Sequence, residues 1–483
     1  MPRLTAYFRA YARRKHVRPW ALAAPIAVLL ICLPLLRPLR HPVGAMMSDD
    51  EMSRWGTVQA LVEQQTFAID QTQFAGTRQK IRIGDTYYSD QPPVMGLLLA
   101  GPYWLIHRAG YTFQHNPSFV EYLLTLIGVT VPVAAAAGMI YRMGRLFELR
   151  RPWRTGLALA VVLGSGLISY GTVLNPYATA ASLVLLSAAI LVQVSIVNSP
   201  LRSGGYLTVA GFFAALAAAI DPAAVVFTIL FFSIILVMRW RWSLRIGGVL
   251  MYAIGVVPPV LLHVALSVPI TGDWRLGLAH LPTQPIRVAS LPHLSNAPTP
   301  AAVVKRPADA NDDEDFTPPP PTWYTLAWVF LARFFAAFLG SHGLLTHFPV
   351  LIIGVAGVFS VMHRHWPSST KTLAIITMAG ATIVILRYVC LPVDWRWAMF
   401  AVRWYVIFLP LVLFWAGAWI RKSHHPAVWA IAGVLLVFSS TVAIIGATDP
   451  MPREGYDRYT AAAALRSMIR PPTSGDAAML AGR

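Results

Sequence analysis

The strongest constraint on this chain is the recurrence of long apolar runs. Stretches at 20–38, 119–141, 154–173, 176–197, 205–220, 222–238, 246–269, 345–362, 372–391, 399–420 and 426–446 approach the ~20 residues that a helix needs to cross a bilayer. In hydrocarbon, a backbone amide must find its partner within its own segment, so such runs fold as helices. Charged residues make up only 12% of the chain, against about 25% in a soluble domain. The sequence therefore predicts an all-α polytopic membrane protein with about 11 transmembrane helices. They form one transmembrane domain over 1–446, followed by a tail over 447–483. Basic residues precede the first run, as in a signal peptide. We read it as a retained anchor, because no small-residue cleavage site follows before Gly44 and many spans come after. The two cysteines, Cys32 and Cys390, lie in apolar surroundings and support neither a disulfide framework nor a metal motif.

A net charge of +18 in a soluble protein would suggest nucleic acid as a partner. Its distribution excludes that here. The short loops on one side, with Arg154, hold 19 of the 39 basic residues and one acid, Glu148. That asymmetry is the positive-inside pattern and places the amino terminus in the cytoplasm of an integral inner (plasma) membrane protein. Two large loops then lie on the extracytoplasmic side, 39–118 and 271–341. Within the first, 94–108 is apolar but short for a crossing, so we read it as an interfacial helix. In the second, 295–322 is rich in Pro, Asp and Ala and reads as disordered or extended. Its acids Asp312, Asp313, Glu314 and Asp315 have no flanking structure to fix a metal geometry. The aromatic stretch 323–349 reads as a second interfacial segment. The tail ends outside, with a helical pattern around 461–468.

The first loop gathers the polar chemistry. It carries three adjacent acids, Asp49, Asp50 and Glu51, then Arg54, an amphipathic segment, and Tyr87-Tyr88-Ser89-Asp90-Gln91-Pro92-Pro93. Such acids can bind a divalent cation, deprotonate an acceptor hydroxyl or amine, or pair with Arg54 and hold the loop. The prolines stop a helix from running back, so the stretch before them should be extended. Tyr87 and Tyr88 suit sugar stacking or the interfacial belt. Late in the chain, Arg387, Asp394, Arg396 and Arg403 come to the same face, where a guanidinium fork suits a phosphate. Asp221, before Pro222, is either a helix cap or a site acid. No glycine pattern for a nucleotide is present.

In order, these pieces resemble the GT-C membrane glycosyltransferases, of the protein O-mannosyltransferase and lipid A aminoarabinose transferase type. The resemblance is carried by DDEMSRWGTVQALVE (49–63), GDTYYSDQPP (84–93), the GSHGLLTHFP turn (340–349) and RWYVIFLP (403–410). It spans most of the chain and is strong in the first loop. It implies a GT-C fold and inverting transfer of a sugar from a polyprenyl-phosphate donor to an extracytoplasmic lipid, glycan or protein. It also implies Asp50 as the base, with Asp49 and Glu51 as rivals, and Arg54, Arg396 and Arg403 on the donor phosphate. Tyr87, Tyr88, Asp90 and His342 are the implied substrate contacts. No cofactor is expected, or at most a divalent cation on Asp49, Asp50 and Glu51. The expected partners are the donor, membrane lipid and an acceptor of unknown kind, not nucleic acid. The sequence departs from the family at Gln91, where Y-S-x-K-P-P has lysine. The rival reading is a transporter or flippase of a lipid-linked substrate. It would put charges near mid-membrane and repeat its halves, and the sequence shows no repeat.

Overall fold

The computed structural model describes residues 19–40, 47–197, 200–238, 242–272, 323–390, 399–422, 425–452 and 459–469. The expected disordered stretch 295–322, Asp394 and Arg396 lie outside the described residues. Among those described, seven helices are long and apolar enough to cross a membrane: Pro117–Phe147 (α4), Pro176–Ile196 (α6), Ser203–Ile220 (α7), Ser243–Thr271 (α9), Ala327–His347 (α10), Ser368–Cys390 (α12) and Pro426–Gly446 (α14). Pro19–Leu35 (α1), Pro222–Leu236 (α8), Leu351–Met362 (α11) and Leu409–Ile420 (α13) are shorter and apolar. Arg151–Gly164 (α5) completes the set that packs with them. The chain is a multi-pass membrane protein.

Small residues let the helices approach. A Cβ at Gly211 of α7 would stand 2.1 Å from the Tyr252 carbonyl oxygen, and one at Gly255 of α9 would stand 1.9 Å from that of Thr208. The two backbones are therefore in contact. Dispersion and close fit drive such packing in lipid, where apolar burial alone gives no preference.

The first loop builds a small structure on one end of the bundle. Asp49–Gln59 (α2) begins at a capping box. Ser48 Oγ accepts from the Glu51 amide at 3.3 Å, and Glu51 Oε2 accepts from the Ser48 amide at 3.2 Å. Its three acids stand in the first turn, where the helix dipole favours negative charge. Strands Lys80–Ile83 (β1) and Thr86–Ser89 (β2) then pair antiparallel, with Lys80 opposite Ser89 and Ile83 opposite Thr86. Gly84, at φ 63°, makes the turn between them. Apart from this hairpin the regular elements described are helical, in keeping with an all-α polytopic membrane protein. The period-2 pattern of so short a pair was hidden in a polar stretch. Pro93–Arg108 (α3) starts on its own proline and packs under α2, with Gly96 against the Thr57 methyl. It is not among the helices long and apolar enough to cross.

Two expected spans and one expected interfacial segment differ from the structure. The helix expected over 154–173 ends at Gly164, and the chain turns at Gly166, φ 73°, where the Phe348 ring fills the space of a Cβ. The span expected over 399–420 is α-helical only from Leu409, after a single 3-10 turn at Arg403–Tyr405; Met399, Ala401 and Val402 have φ of 57°, 47° and 53°. This buried irregular segment sets Arg403 at the mouth of the bundle. Finally, α10 was read as interfacial and proves long enough to cross. Its regular helix runs over Trp323–Leu339, gives way at the 340–343 turn and resumes at Leu344–His347.

The C-terminal segment is fastened to the body. In Thr460–Ile469 (α15), the Thr460 amide donates to Ser341 O at 3.3 Å, and Thr460 Oγ1 bonds His347 Nε2. Tyr459 Oη donates to Thr346 O at 2.8 Å.

Candidate active site

The three adjacent acids face three different partners. This follows from helix geometry, because successive residues turn by about 100°. Asp49 Oδ1 accepts from the Arg78 amide at 3.1 Å, and its carbonyl accepts from Thr77 Oγ1 at 2.8 Å. It ties down the chain that leads into β1. Glu51 closes the capping box and pairs with Arg37. The second fork of Arg37 donates to Asp449 Oδ1 at 3.1 Å and to Met451 O at 3.0 Å. Glu51 thus joins the first loop to the end of α1 and to the segment after α14. Asp50 alone of the three reaches Arg403, in an ion pair whose side chains are 3% and 8% exposed.

Around that pair stands a connected polar set. Arg54 donates to the Asp50 carbonyl at 2.9 Å and to Gln91 Oε1 at 2.6 Å. Gln91 Nε2 has three oxygens within reach: Gln79 Oε1 at 2.6 Å, Asp90 Oδ1 at 2.8 Å and Asp50 Oδ1 at 3.4 Å. An amide nitrogen carries two hydrogens, so Gln91 serves two of these three oxygens at a time. Gln91 therefore occupies a place where an ammonium would also be satisfied. Ser53 Oγ and Ser89 Oγ bond at 2.6 Å and lock this loop to α2.

Aromatic rings wall the Arg403 side. Its guanidinium carbon lies 5.5 Å from the Tyr177 ring centre and 5.8 Å from that of Trp404. Trp404 stacks on Tyr388 at 4.7 Å and 5°. Burial opposes charge on Arg403. Asp50, then Tyr177 and Tyr170, outweigh it and hold the guanidinium firmly protonated. Tyr177 starts α6, and Asn175 caps that helix through the Ala178 amide at 2.9 Å.

Of the expected site residues, the structure brings together Asp50, Arg54, Asp90 and Arg403. Tyr87 and Tyr88 are successive strand residues on opposite faces of the hairpin. Lys80 Nζ sits 4.8 Å from the Tyr87 ring centre. His342 bonds Ser341 Oγ at 3.0 Å within the 340–347 turn. Asp49, Asp50 and Glu51 do not converge on one point, and among the described residues no group of three or more His, Cys, Asp or Glu is placed to hold a metal ion.

Several residues carried no usable sequence signal. Arg37 was one basic residue at the end of a span, and Asp449 one acid in a tail. Tyr177 and Asn175 looked like an ordinary turn. The Asn-Pro and Asp-Pro pairs at 175–176 and 221–222 were the available hint, since both close turns at one end of the bundle.

Fold and site together define a multi-pass membrane protein with a buried, charged cluster at one end of its helices. No protein-family model matches the chain, and no curated protein sequence does. Among solved structures, it is similar to the apo crystal structure of the Archaeoglobus fulgidus oligosaccharyltransferase, with TM-score 0.44 and 11% identity. The match covers 96% of this chain and 59% of that one.

Proposed function

We propose that this protein transfers a sugar, with inversion, from a polyprenyl-phosphate donor to an acceptor on the extracytoplasmic side, and that Asp50 is the base. The observation that carries the reading is the buried Asp50–Arg403 pair, with Arg54 and Gln91 joined to it. A carboxylate for the acceptor and guanidiniums for a phosphate lie side by side at the end of a transmembrane bundle. The motifs 49–63 and 84–93 supply the resemblance to GT-C enzymes.

In this mechanism, donor phosphate engages Arg54 and Arg403. Two parallel charge-assisted bonds favour a guanidinium–phosphate pair. As Arg403 turns to the phosphate, the Asp50 carboxylate becomes available to the acceptor. Asp50 takes the acceptor proton while the acceptor oxygen or nitrogen attacks the anomeric carbon. The bond to the phosphate oxygen breaks on the opposite face, and the arginines stabilise the charge that grows there. One attack from the rear gives inversion.

The test is turnover by purified protein with a panel of polyprenyl-phosphate sugars. Wild type should transfer at least one. Asp50→Asn should fold and lose about 10²–10⁴-fold in rate, while Asp49→Asn keeps most of it. Full activity in Asp50→Asn sinks the base assignment, and no turnover of any donor by wild type sinks the transferase.

A further inference from the structure

The turn after α7 holds a carboxylate oxygen that the fold does not use. Asp221 is 5% exposed. Its Oδ1 caps the short turn Pro222–Ala224 by accepting from the Ala223 amide at 3.0 Å. Its Oδ2 is buried and has no hydrogen-bond partner. Capping does not require that second oxygen, because Ser or Asn caps as well as Asp. A buried acceptor left unmade costs about 1–3 kcal/mol, more when charged. A carboxylate kept in that state within the fold suggests a partner that arrives with a ligand.

The position says which ligand. Burial pushes the Asp221 carboxyl up, and the charges of Arg387, Arg54 and Arg403 act against that; among the described residues none of them makes an ion pair with it. Arg54 and Arg403 are the guanidiniums of the Asp50 cluster. Tyr177 lies in the field of both Asp50 and Asp221, which sets both carboxylates around that ring. A phosphate would go to the arginines and be repelled by Asp221. A cation would be repelled by three guanidiniums. A neutral hydrogen-bond donor suffers neither penalty and gains a charge-assisted bond. In a glycosyl phosphate held by Arg54 and Arg403, the neutral donors nearest the phosphate are the ring hydroxyls.

We infer that Asp221 Oδ2 is a recognition site for a ring hydroxyl of the transferred sugar, an inference that rests on the transferase reading above. Asp221 would then select the sugar, while Asp50 acts on the acceptor.

Asp221→Asn keeps the capping oxygen and the shape, but puts an NH₂ group in place of the accepting oxygen. Asp221→Ser keeps the cap and removes the second oxygen, and serves if the first variant fails to give monodisperse protein. Both are assayed with the polyprenyl-phosphate sugar that wild type turns over best and with its singly deoxygenated analogues. Asp221→Asn should lose about 10- to 100-fold in kcat/KM. One deoxy donor should cost wild type a similar factor and cost the variant nothing more. Wild-type kcat/KM in both variants overturns the inference, as does an unchanged penalty for every deoxy donor. An amino-sugar donor preferred by wild type and not by the variants also overturns it, in favour of an ammonium ligand. If wild type turns over no donor, the transferase reading itself has failed.

Discussion

Removing the Arg37 guanidinium should unfasten the first loop from the bundle. Arg37 is 5% exposed and holds two carboxylates and a carbonyl: Glu51 on one fork, and Asp449 at 3.1 Å and Met451 O at 3.0 Å on the other. Its partners Glu51 and Asp449 are 2% and 4% exposed, so water replaces it poorly. Breaking a buried pair from one side costs about 3–5 kcal/mol, because the other charge is left uncompensated. Arg37→Ala leaves two such charges, which argues for the upper end. With an unfolding entropy of about 2 cal/mol/K per residue, the midpoint of a chain of this size would shift by about 3–5 °C. The assay is thermal denaturation of detergent-purified protein, with limited proteolysis of the 47–93 loop as a local readout. Changing all three charges together, with Arg37→Met, Glu51→Gln and Asp449→Asn, should recover most of the loss, since no bare charge remains. Arg82→Ala is the control. Its pair with Asp85 is 49% and 100% exposed by side chain, and its loss should not be measurable. If Arg37→Ala melts with wild type and its loop stays protected, the tether has no structural role. Glu51 would then have to be reconsidered as a functional acid.

Other outcomes follow from single contacts. Gln91→Lys should fold, because three oxygens already surround the amide nitrogen; the added charge should lower the donor KM severalfold, and a raised KM would count against phosphate binding there. Gly255→Val should abolish monodisperse protein in size-exclusion chromatography, since its Cβ would lie 1.9 Å from the Thr208 carbonyl oxygen. Normal yield and melting would mean that α7 and α9 do not cross so closely. Thr86→Cys should react in intact cells with a membrane-impermeant thiol reagent, as the hairpin turn beside it is exposed; protection would reverse the orientation drawn from the charge bias.

The apolar runs by themselves determined most of the helical framework. Six of the expected spans are among the seven described helices long and apolar enough to cross, and the other five hold shorter helices, two of which stop early at Gly164 or begin late at Leu409. Hydrocarbon imposes that legibility, because it leaves the backbone no partner other than itself. Charge bias, being a sum over loops, could likewise be read without coordinates. The capping box at Ser48 and Glu51 was also in plain sight, though its acids were read for their chemistry.

What the sequence left open was decided by contacts between distant residues. Three adjacent acids are equivalent in a string of letters. They became distinct only when Arg78, Arg403 and Arg37 met them, across separations of 29, 353 and 14 residues. Arg403 reached Asp50 because residues before Leu409 abandon the helix, a choice made by left-handed backbone at 399–402 that no propensity foretold. Asp221 could be read as a cap from its Asp-Pro pair, and it is one. That its other oxygen is buried near the same arginines depends on how three helix ends pack. Local periodicity records what each segment needs from its solvent. A site made where segments end is written in none of them singly.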